Sequence, residues 1–141
     1  MIQSNSTMAQ QLAQAAIAFE QRRTGHRPTS VTVVLSENTL VITLHGALTP
    51  AEKALAQSPV GAVKMQEFHR ELFNVSADAL RQEIKRIIGV DVREAVAEVE
   101  PTTGTVVQAF TTGTVVQVFL LACNVPGETW SGNGNGSETK P

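Results

Sequence analysis

One stretch limits the fold more than any other. From Ser58 to Val90 the chain carries no proline after Pro59, and apolar side chains at Met65, Phe68, Leu72, Val75, Ala79, Ile84 and Ile87 recur mostly in steps of three and four. That spacing places them on one face of a helix. Val63, Leu80 and Ile88 widen the stripe. The opposite positions, among them Lys64, Glu67, Arg70, Glu71, Asn74, Asp78, Arg81, Gln82 and Lys85, form a solvated face with opposite charges three apart. Ser58 reads as the N-cap with Pro59 in the first helical position, and Gly89 followed by Val90 reads as the C-terminal cap. Lys85 and Arg86 suit the negative end of the helix dipole. Unbroken, such a helix spans roughly 45 Å. The excess over what a small core needs predicts that it covers a sheet, projects past it or meets a partner.

The flanking segments supply that sheet. Thr7 to Thr24 reads as a first amphipathic helix, with Thr7 and Gln10 as a capping box, Met8, Leu12, Ala15, Ala16 and Phe19 on one face, and Gly25 as its stop. Val31–Ser36 and Leu40–His45 alternate as strands do, and Glu37-Asn38 is short enough for a tight hairpin. Val34 and Val41 make the second face of that hairpin partly apolar, as a surface covered by a second chain would be. Thr49-Pro50-Ala51-Glu52 is a compact helix start, in which Thr49 caps and Glu52 reaches back, so a short helix from Pro50 to Ala56 precedes the long one.

Beyond Gly89 the strand pattern returns over Asp91–Glu100 and then in a tandem repeat. Thr102–Phe110 reads TTGTVVQAF and Thr111–Phe119 reads TTGTVVQVF, with one Ala to Val difference. Because nine is odd, one unbroken strand would turn Phe110 and Phe119 to opposite faces. Two strands, Thr105–Phe110 and Thr114–Leu121, resolve this with a turn or bulge between them. The order predicts a two-layer α+β fold: an antiparallel sheet of four to five strands against two main helices, in the order α-β-β-α(short)-α(long)-β-β(-β). Residues 1–123 form this single domain. Residues 124–141, rich in Gly, Asn and Ser, read as a disordered tail. Trp130 within it is either idle or a small docking anchor.

Composition narrows the function classes. With 141 residues, 42% of them apolar, there is room for one core. A formal charge of −2 argues against general attraction to nucleic acid or anionic membrane. The lone Cys123 rules out an internal disulfide framework, no basic leader or signal-type core opens the chain, and no window is apolar enough to span a membrane. The cytoplasm is the expected compartment.

Gly46-Ala47-Leu48-Thr49-Pro50-Ala51-Glu52-Lys53, continued through the long helix to Gly89-Val90, resembles a small bacterial family catalogued as domain of unknown function 2294. The resemblance covers about Met8 to Leu121. It implies the initial helix, the hairpin, the Leu-Thr-Pro-Ala-Glu-Lys run and a late Thr-Gly strand with Phe, which here occurs twice. It implies no catalytic residues.

Candidate chemistry is sparse. His26, His45 and His69 stand far apart with no metal-motif spacing, and neither a metal nor a cofactor is expected. His45, Thr49 and Lys53, at the mouth of the short helix, are the candidate ligand or anion site, against the simpler reading of a well-built cap. Arg22, Arg23, His26 and Arg27 form the dense basic patch, a place for phosphate, RNA or an acidic partner if not merely dipole-opposing charge. Glu94, Glu98 and Glu100 alternate onto one strand face, more in keeping with solvation than with cation binding. Cys123 has no base nearby in sequence. The expectation is therefore a self-associating cytoplasmic module, a homodimer without catalysis that binds a protein partner or small regulatory ligand. The alternatives are an enzyme or anion-binding domain around His45, Thr49 and Lys53, and nucleic-acid binding through Arg22, Arg23 and Arg27.

Overall fold

The computed structural model describes residues 7–101, 103–111, 121, 125–130 and 132. Helix α1 runs over Met8–Thr24, strands β1 and β2 over Ser30–Ser36 and Thr39–His45, helices α2 and α3 over Pro50–Leu55 and Pro59–Ile88, and strands β3 and β4 over Glu94–Glu100 and Thr105–Thr111. The expected α+β order holds. The four strands are antiparallel in the order β1-β2-β4-β3, so the last strand lies between the second and the third. The further strand expected from Thr114, and most of the expected tail, lie outside the described residues.

The ends of the elements follow local chemistry. Thr7 and Gln10 form the expected reciprocal cap of α1, and Gly25 closes it with φ of 75°. Ser58 Oγ accepts from Gly61 N at 3.0 Å to start α3, and Gly89 ends it at φ of 84°. The hairpin turn uses a left-handed Glu37. Strand β3 starts at Glu94 rather than Asp91. The preceding residues bring the chain from the cap of α3 to the sheet, where Arg93 N bonds Thr111 O at 2.8 Å.

The core lies between the sheet and the helices. Leu40, Ile42 and Leu44 of β2, Val106 and Phe110 of β4, and Val99 of β3 meet Leu12 and Ala16 of α1 and Met65, Phe73, Leu80 and Ile84 of α3. The Phe73 and Phe110 rings are 6.1 Å apart. Full burial of each large side chain contributes about 1.5–3 kcal/mol.

Here α3 departs from the sequence expectation. The apolar arc divides: Met65, Phe73, Leu80 and Ile84 turn inward, while Phe68 and Val75 remain 51% and 86% exposed. The inward line instead takes in His69, four residues from both Met65 and Phe73. At the β3 edge, Gln66 Nε2 donates to Val99 O at 3.2 Å and Arg70 meets Glu98 at 3.0 Å. The first of these occupies a backbone carbonyl of the kind an open sheet edge would offer to another chain.

Candidate functional site

The junction of α2 and α3 is built around one carboxylate. Thr49 Oγ1 accepts from Glu52 N at 3.2 Å, and Glu52 Oε1 accepts from Thr49 N at 2.8 Å. The second oxygen, Oε2, lies 2.7 Å from His69 Nε2. His69 is buried, and the Phe68 ring meets it edge-on at 5.8 Å between centroids. Glu52 therefore closes α2 and also ties it to α3. A carboxylate against an imidazole is a way to orient a base. The hydroxyl joined to this network, on Thr49, already accepts the cap bond.

Of the residues singled out at this end, Thr49 and Lys53 share the first turn of α2, where Lys53 N donates to Thr49 O at 2.9 Å. The Lys53 side of the turn is exposed. His45 is engaged elsewhere, with Nε2 3.3 Å from Thr32 Oγ1 across the β1–β2 ladder. The basic patch is divided in the same way. Arg22 lies over the Phe19 ring at 4.6 Å, and Arg27 is exposed. His26 Nε2 is 3.0 Å from Gly46 O. Arg23 turns inward to pair with Glu20, donates to Ser76 Oγ at 3.0 Å, and sits 5.8 Å from the Phe73 ring centre.

Sequence reasoning passes over Glu20, which is fully buried, and weighs His69 only as a metal ligand. The signal was present: Leu12, Ala16 and Glu20 are four apart, as are Met65, His69 and Phe73. A polar residue at the helical repeat of two core residues is carried to the interface whatever its polarity, and must be paired there.

Two of the glutamates of β3 have individual partners. Glu98 meets Arg70, and Glu100 Oε1 accepts from Thr103 N at 3.0 Å. Its hydrogen bond to Glu98 raises the pKa of Arg70. Among the described residues there is no group of three or more His, Cys, Asp or Glu that could hold a metal ion. A crevice at the β1–β2 turn, lined by residues including Leu40, Ile84, Ile88 and Phe110, has a volume of about 30 Å³. That admits roughly one water and falls well below a small-molecule pocket.

What α3 offers outward is a second apolar line. Phe68, Leu72, Val75 and Ala79 follow at intervals of four, three and four, the seam spacing of paired helices. Leu72 is half-buried, and the other three are exposed. Glu67, Glu71, Asp78 and Gln82 line the water-facing side of this seam.

A family model described as "Na+-translocating membrane potential-generating system (MpsC)" matches residues 4–114. That match corrects the resemblance drawn from the Gly46–Lys53 run: the family found is MpsC, not domain of unknown function 2294. The run that suggested the latter is largely helix-capping chemistry, which unrelated chains share. A curated relative, the uncharacterized protein YbcI of Bacillus subtilis (strain 168), is 24% identical over 110 residues, covering 78% of this chain and 89% of that protein. No solved structure matches.

Proposed function

This chain belongs to the MpsC family, and on that premise we propose that it is a non-catalytic, self-associating component on the cytoplasmic side of a sodium-translocating system, docking through the outer face of α3. The family description supplies the setting. The observation that carries the docking role is the exposed line Phe68, Val75 and Ala79, continued by the half-buried Leu72, on a 30-residue helix. An apolar seam of this length on a helix whose other side is already packed gains from a second helix. No helix among the described residues is long and apolar enough to cross a membrane, and the reading accordingly assigns this chain to docking. It also treats residues 1–123 as one interacting domain and 124–141 as its tail.

Capping geometry favours interaction over catalysis at the other candidate site. Thr49 and Glu52 are committed to each other and to His69, and His45 to Thr32.

Gel filtration with light scattering tests the reading. The wild-type chain is expected to run as a dimer at micromolar concentration. Val75→Glu and Phe68→Glu are expected to give monomers with unchanged far-ultraviolet circular dichroism, because both side chains face outward. A wild-type monomer, or a dimer indifferent to both substitutions, defeats the proposal.

A further inference from the structure

The two ends of the described sheet differ in what they offer a further strand. On β3, Glu94, Glu98 and Glu100 share the face away from the helices, and a second β3 laid antiparallel about Ala97 would set Glu94 against Glu100. Like charges directly opposite destabilise a strand pair. Gln66 also holds the Val99 carbonyl of that strand. At the other end stands β1, which reads SVTVVLS. Charge, proline and shortness are what ordinarily keep an edge from pairing. Seven residues long, β1 has none of the three.

The hairpin fixes which of its groups are open. Glu37 and Asn38 make a two-residue turn, so Ser36 and Thr39 on either side of it form a hydrogen-bonded pair. Counting back by twos, Val34, Thr32 and Ser30 direct their amides and carbonyls at β2. Those of Val31, Val33 and Leu35 point away from the sheet. The side chains of the same three residues lie opposite Leu44, Ile42 and Leu40 and so face the helices, but the edge leaves their burial unfinished: Val31 and Val33 are partly buried and Leu35 is 37% exposed.

Turned end for end, β1 fits itself. Antiparallel pairing about Val33 sets Ser30 against Ser36, Val31 against Leu35, Thr32 against Val34 and Val33 against its own copy. The open groups of Val31, Val33 and Leu35 then meet their like, giving about six main-chain hydrogen bonds around a two-fold axis. The apolar row on the helix side runs on into the second copy. No charges oppose within the pair, and just beyond it the exposed Glu37 of one copy comes alongside the exposed Arg27 of the other.

We infer that β1 is a strand-addition edge whose occupant is β1 of a second copy, which makes one sheet continuous across two molecules. The contact is distinct from the α3 seam and needs none of its residues. It is little more than one strand pair, which places it among weak associations at about 0.1–1 mM. Where the α3 dimer forms, β1 pairing assembles those dimers further at high concentration. That consequence rests on the α3 reading, whereas the pairing itself does not.

Sedimentation equilibrium tests this with the full chain carrying Phe68→Glu and Cys123→Ser, which remove the α3 seam and the native thiol. This parent is expected to dimerise reversibly as its concentration rises to about 1 mM. Thr32→Lys/Val34→Lys and Thr32→Glu/Val34→Glu, each added to the parent at exposed positions, place like charges opposite each other. Each pair is expected to weaken the dimer by about tenfold with unchanged far-ultraviolet circular dichroism. Mixing the two charged variants is expected to restore it as a heterodimer. Oxidation reads the register: the parent with Thr32→Cys, mixed with the parent with Val34→Cys, is expected to form an intermolecular disulfide faster than either alone, because directly opposite residues fall within disulfide reach. A monomeric parent, a dimer indifferent to the added charges, no restoration on mixing, or equal rates of oxidation overturns the inference. Loss of the wild-type micromolar dimer on Phe68→Glu concerns the α3 seam alone, so the two readings fail separately.

Discussion

His69 marks the point where the two halves of the helical layer meet through one oxygen of Glu52. Removing the ring takes away that bond and leaves a largely buried carboxylate oxygen without its partner, which costs about 1–3 kcal/mol. His69→Ala should lower the urea midpoint accordingly, while Glu52 continues to cap α2 through its other oxygen. A surface pair behaves differently. The Arg86 guanidinium, hydrogen-bonded to Glu83, holds the Glu83 carboxyl below its ordinary value. A lowered folded-state value stabilises the fold above the unfolded value, and that contribution fades as pH falls through the folded one. Thermal midpoints measured from neutral pH down through the acid range should therefore decline slightly less steeply in Glu83→Gln than in wild type. The difference should shrink at high salt, because the pair is open to solvent.

Among the elements, α2 and α3 are held closer than most side chains would allow. A β-carbon added at Gly61 would lie 2.0 Å from the backbone oxygen of Leu55. Gly61→Ala should thus force the end of α2 away from α3 and destabilise the protein by about 1–3 kcal/mol, the usual range for overpacking. At Gly89, φ of 84° with open space around the added carbon makes alanine costly through backbone strain alone, by about 1 kcal/mol. Comparing the two in denaturant separates crowding from strain. The element ends were readable because caps are local: Thr7 with Gln10, Thr49 with Glu52, and Ser58 with Pro59 each declare a helix start within four residues. The inward side of α3 was not. Its apolar positions span a broad arc, and only the neighbouring sheet and α1 decide which part is buried. Phe68 and Val75 thus read as core, while Phe73 is passed over and His69 is weighed only as a metal ligand. The candidate sites failed to be legible for a related reason. Adjacent residues such as Arg22 and Arg23 look like one patch in a sequence, but a helix sends one over Phe19 and the other toward Glu20 and Ser76.

For the molecule as a whole, the strand order β1-β2-β4-β3 sets when the sheet can close. The hairpin of β1 and β2 is complete by His45, and β3 by Glu100, yet neither can join the other until Thr105–Thr111 is available between them. During synthesis at about 5–20 residues per second, the inner edge of β2 thus waits roughly 3–13 s for its neighbour. Through that interval the β2 edge is unpaired and open to a strand of another chain.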